Sequence, residues 1–147
     1  MDVFHPSFWA ALLGWVIAQT AKMVNCLIES RRLDFSYMVS TGGMPSAHSA
    51  MASSLATSLG LCEGFDSAIF ALGIAFAIVV MFDAQSVRKA AGEQAKLLNQ
   101  IVDELLREHH LSENKLKELL GHTRLEVFMG FITGIATAFA AFRFIHP

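Results

Sequence analysis

Two histidines hold most of the chemistry this chain can do, and each sits in a segment that would aim it. His48 lies in the run Thr41-Gly42-Gly43-Met44-Pro45-Ser46-Ala47-His48-Ser49, which leads directly into an apolar stretch. Glycines free the backbone there, a proline suits a helix start, and hydroxyls and an imidazole crowd the first turn. A helix begun this way points several N–H groups and the positive end of its dipole at one spot, which favours a phosphate. His122 is followed four residues later by Glu126. On a helix that is one turn, so the carboxylate accepts the imidazole proton, fixes its tautomer and makes a carboxylate-oriented nucleophile.

Cleaving a phosphate monoester takes cationic and N–H donors on the oxygens, an in-line nucleophile, and an acid for the leaving group. Lys22 and Arg88 can supply charge. Gly43, Ser46 and the amides after them can cradle oxygens. His48 and His122 can divide the nucleophile and acid roles. Asp83 reads either as a first-turn cap or as the partner of a site cation. Plainer readings exist for each residue: a capping histidine at 48, a snorkelling Lys22, an interfacial anchor at Arg88, and a structural helix-end pair at His122 and Glu126. No spacing of His, Cys and Asp suits a closed tetrahedral zinc site, so neither a metal nor any other cofactor is expected.

The elements that must position these groups are membrane helices. Of 147 residues, 54% are apolar and 16% charged, against about 25% charged in an average soluble domain. Four runs approach the ~20 residues needed to cross a bilayer: about 4–28, 45–61, 65–82 and 125–145. They predict an all-α membrane bundle of four transmembrane helices forming a single domain over residues 1–147. A polar helical insertion, 83–124, separates the last two spans. Within it Val87, Ala91, Ala95, Leu98, Val102 and Leu105 recur at helical spacing, which predicts an amphipathic helix over 86–109. A second short helix is expected over 113–120, stopped by Gly121. Gly130 and Gly134, and Ala47, Ala50, Ser54 and Ser58, read as close helix contacts.

Threaded through a bilayer, these spans bring Lys22, Asn25, Ser46, His48, Asp83, Arg88, His122 and Glu126 out on one face. Of the eleven Lys and Arg residues, only Arg143 falls near the other face. The positive-inside rule then turns the polar face to the cytoplasm, in what reads as a bacterial cytoplasmic membrane. A net charge of −2 gives no pull toward nucleic acid, and no removed leader is expected.

Pro45-Ser46-Ala47-His48 resembles the Pro-Ser-Gly-His motif of the type 2 phosphatidic acid phosphatases, relatives of the vanadium-dependent haloperoxidases. The wider segments 42–50, 83–92 and 120–127 resemble the divergent bacterial and plastid branch of that superfamily. The resemblance implies a phosphate-binding role for Lys22 and Ser46, the general acid at His48, a binding arginine at Arg88, the nucleophile at His122, and its orienting carboxylate at Glu126. It also implies a phosphohistidine intermediate hydrolysed by water without a metal. Four features depart from the wider superfamily: Glu29 and Ser30 stand where its first motif has Arg-Pro, Ala47 replaces a glycine, a helical insertion parts Arg88 from His122, and four spans are expected where the classical fold has six.

The expected function is therefore a membrane phosphatase acting on a lipid or prenyl phosphate, with the bilayer as its setting and self-association plausible for so few spans. The alternatives are a membrane protein that binds phospholipid without cleaving it, and a structural or assembly subunit.

Overall fold

Small residues set the architecture. The computed structural model describes residues 5–30, 43–109 and 121–145, and every element among them is helical. In chain order these are α1 (Pro6–Ser30), α2 (Ala47–Glu63), α3 (Ala68–Phe82), α4 (Arg88–His109) and α5 (Arg124–Ile145), with a π-turn at Asp83–Val87 between α3 and α4. The short helix expected over 113–120 lies outside the described residues.

Helix α2 is the hub, packing against α1, α3 and α5. Its buried side chains are almost all Ala and Ser, among them Ala47, Ser49, Ala50, Ser53 and Ser54. Such a surface lets neighbouring backbones come close. At Gly130 and Gly134 of α5 the approach is tightest. An added Cβ would collide with the Ser46 carbonyl at the first, and with Ser53 Oγ and the Ala50 carbonyl at the second. The serines also join helices by hydrogen bonds. Ser54 Oγ donates to the Ala10 carbonyl of α1 at 2.7 Å, and Ser53 Oγ lies 3.1 Å from the Phe131 carbonyl of α5. In an apolar surround these hydroxyls need such partners.

Three helical stretches are long and apolar enough to cross a bilayer: Pro6–Ile28, Ala68–Asp103 and Arg124–Phe144. The run expected at 45–61 forms α2, which is 17 residues long and more polar than those three. The physical reason is its position: protein surrounds α2, so it carries small and hydroxylated residues instead of lipid-facing ones. Its neighbour α3 is the reverse, presenting Leu72, Phe76, Ile78 and Val79 outward, as a surface against acyl chains must. The molecule is an all-helical membrane bundle.

The amphipathic segment differs from expectation at its start. It starts as the π-turn and becomes α-helical only at Arg88. Its apolar stripe is largely uncovered: Val87 and Leu98 are exposed, while Gly92 and Asn99 are buried instead. Among the described elements α4 packs chiefly against the π-turn.

Candidate functional site

The start of α5 is built by its own sequence. Thr123 Oγ1 accepts from the Glu126 N–H at 3.2 Å, and Glu126 Oε2 accepts from the Thr123 N–H at 3.1 Å. This reciprocal pair is a capping box, which satisfies two backbone donors at a helix start. It also locks the Glu126 rotamer. The same Oε2 lies 2.9 Å from His122 Nδ1, so the carboxylate that caps the helix also holds the imidazole. A carboxylate accepts, so Nδ1 carries the proton in this pair. Capping alone does not require that second contact.

The backbone fixes His122 as well. Its N–H donates to the Ala84 carbonyl at 3.0 Å, across from the π-turn. A π-turn interrupts the regular helical ladder and releases backbone groups for other partners, which is one reason such turns gather at functional sites. Here it supplies the acceptor that places residue 122. The side chain ends up deeply buried, 1% exposed, against 21% for Glu126.

Ser46 caps α2. Its hydroxyl accepts from the Ser49 N–H at 3.4 Å and from Ser49 Oγ at 3.1 Å, and its own N–H donates to the Glu126 carbonyl at 3.0 Å. That last bond ties the start of α2 to the first turn of α5. As a result the rings of His48 and His122, 74 positions apart in the chain, stand with centroids 6.4 Å apart at a 58° tilt. The spatial expectation that the two imidazoles meet is met in the geometry.

Lys22 approaches from α1 and is 3% exposed. Its aliphatic stem lies beside Gly43, where an added Cβ would sit 3.9 Å from Lys22 Cδ. Gly43 itself has φ 92°, a conformation that glycine adopts without strain. Asn25 completes the fastening, donating from Nδ2 to the Met44 carbonyl at 3.0 Å. Asp83 opens the π-turn, half-buried, one residue before the carbonyl that holds His122. The backbone of Arg88 begins α4, while the place expected for its side chain lies outside the described residues.

Helices α1, α2 and α5 and the π-turn thus bring Lys22, Gly43, Ser46, His48, His122 and Glu126 into one neighbourhood. Its chemistry is two imidazoles, one carboxylate, one ammonium and a glycine-bearing loop, a set suited to holding and attacking a tetrahedral anion. Sequence reasoning missed Thr123, although the Thr-x-x-Glu spacing of a capping box was there to read. It also missed the Ala84 carbonyl, for which no side chain gives a signal.

A helical membrane protein that brings two histidines from separate helices together at one end of its bundle is the class this fold and site define. The family model described as the divergent PAP2 family matches residues 4–137, and the chain belongs to that family. It is 43% identical over 137 residues to the membrane protein YuiD of Bacillus subtilis (strain 168), covering 86% of this chain and 87% of that protein. No solved structure matches the chain.

Proposed function

We propose that the protein is a membrane phosphatase that hydrolyses a lipid or prenyl phosphate through a phosphohistidine. Lys22, the Gly43 loop and the helix start at Ser46 bind the phosphoryl oxygens, and Arg88 and Asp83 complete the binding set. With Nδ1 held by Glu126, Nε2 of His122 attacks phosphorus. The bond from phosphorus to the lipid oxygen breaks, and His48 gives its proton to that oxygen as it leaves. Water then attacks the phosphohistidine, the N–P bond breaks, His48 takes the proton of the water, and inorganic phosphate departs. No step needs a metal. The tail of the substrate stays in the bilayer, and the excess of basic residues at the site end turns that end toward the cytoplasm.

One observation carries this reading: an imidazole held by a carboxylate at 2.9 Å faces a second imidazole, from another helix, at 6.4 Å. Attack distances of about 3–3.5 Å and proton-transfer distances of about 2.6–3.2 Å let a single phosphoryl group engage both rings. A capping role explains Glu126 but not the second histidine.

The test is phosphate release from a panel of lipid and prenyl phosphates by the purified protein in detergent or vesicles. Release should stop in both His122→Ala and His48→Ala, and vanadate should inhibit the wild-type protein. A phosphoryl group trapped on His122 by acid-free quenching would identify the intermediate. Binding of the same lipids with no release from any of them would overturn the enzymatic reading and leave a phospholipid-binding protein.

A further inference from the structure

A cleft of about 790 Å³ opens between α4 and the start of α5, and its wall includes Lys89, Lys96, Arg124, His122, Gly92 and Glu93. None of Lys22, Gly43, Ser46 or His48 lines it. We propose that this cleft is a second phosphoryl-binding subsite, holding either a further phosphoryl group on the head of a lipid substrate or the inorganic phosphate on its way out. As part of a catalytic cycle it rests on the phosphatase reading, since His122 is the residue common to the cleft and the two-histidine site.

Charge and shape support the assignment. Three cations face one carboxylate in the lining, and that carboxylate, Glu93, is already 3.8 Å from Lys89. Lys89 and Lys96 are seven residues apart, two turns on one helix face and about 10 Å along the axis. Their flexible stems can converge on an anion between them. Arg124 approaches from the other wall, and its planar fork suits phosphate oxygens. The volume falls within the usual range for ligand pockets, roughly 300–1,000 Å³, and exceeds what one phosphoryl group fills.

The floor also carries a signal. Gly92 is buried within the 22-residue α4 and lines the cleft. A glycine inside a helix is less favourable than alanine. With no side chain there, the backbone of α4 itself lines the cleft.

Orthophosphate titration of the purified protein in detergent, read by calorimetry, tests the subsite directly. The wild-type protein should show a binding component that Lys22→Gln leaves in place and that Lys96→Gln/Arg124→Gln weakens about tenfold or more, the scale of lost charge-assisted hydrogen bonds. Parallel titrations use micelles of a lipid with one phosphoryl group and of a lipid with two on its head. If the double variant also loses affinity for the doubly phosphorylated lipid and keeps it for the singly phosphorylated one, the headgroup is the ligand. If it loses orthophosphate affinity with both lipids unaffected, the departing product is. Unchanged affinity for all three probes in the double variant overturns the proposal. A wild-type protein that releases no phosphate from any lipid, yet shows the Lys96- and Arg124-dependent component, sinks the phosphatase reading and keeps the subsite.

Discussion

Each end of this bundle carries a histidine–glutamate pair at the same distance. His5 Nε2 lies 2.9 Å from Glu63 Oε1 where α1 begins and α2 ends, and His122 Nδ1 lies 2.9 Å from Glu126 Oε2 where α5 begins. The first pair is 48% and 44% exposed, the second 1% and 21%. His5 Nδ1 also lies 3.1 Å from Ser7 Oγ, and the His5 carbonyl accepts from the Phe8 N–H of its own helix start at 2.9 Å. His122 is gripped by the π-turn through its backbone, and its carboxylate by a capping box. A second imidazole faces it. Distance alone does not separate a surface clasp from a site. Burial, independent fastening of both partners and a converging third group do, because together they hold a side chain in one geometry without water to relax it.

The comparison breaks most visibly at the histidines. His122→Ala should reduce phosphate release about 10³-fold or more, whereas His5→Ala should leave it within about twofold, measured side by side on one lipid phosphate. Equal losses would mean that the buried pair has no special role.

Next in size is the carboxylate. Glu126→Gln keeps the shape but removes the negative charge and can turn an NH2 donor toward Nδ1, which favours the wrong His122 tautomer, so turnover should fall by roughly 10²–10⁴. Thr123→Ala breaks the same capping box from its other side. It should lower stability by about 1 kcal/mol while retaining most of the turnover that Glu126→Gln loses. Thermal unfolding and phosphate release on both variants divide the cap from the chemistry; similar losses of release in the two would make Glu126 a capping residue only.

A smaller effect is expected in the packing that joins the site's helices. Gly130→Ala drives a methyl group into the Ser46 carbonyl and should cost about 1–3 kcal/mol, with release falling because α2 and α5 shift apart. Loss of stability without loss of release would show that the pairing of His48 with His122 tolerates such a shift.

The smallest change belongs to the exposed pair. Glu63→Gln should alter stability by less than about 1 kcal/mol, and raising the salt concentration should erase the difference. A melting-temperature comparison at two salt levels is sufficient.

How far the sequence foretold this arrangement depends on the residue. The helices of α1, α3 and α5 were legible from long apolar runs, and the meeting of Lys22, His48, His122 and Glu126 from the ends on which those runs place them. The central position of α2 was half-legible: its Ala and Ser spacing announced close packing, but not that three neighbours would enclose it. The π-turn was not legible. Its acceptor role depends on the His122 N–H arriving from far along the chain, and no local pattern in Asp83-Ala84-Gln85-Ser86-Val87 encodes that. The helix of α4 was legible from its apolar stripe, because periodicity records which face is apolar, although not whether anything covers it.

The π-turn carries one more implication, for register. Relative to an uninterrupted α-helix it accommodates about one surplus residue, and each residue of helix is worth about 100° of rotation. Everything beyond it is therefore out of phase with α3. Removing a single residue from Asp83–Val87 would restore the phase and swing Lys89, Gly92 and Lys96 about a quarter-turn away from Arg124, while leaving every one of those side chains intact. One short irregularity thus acts as the angular setting for α4.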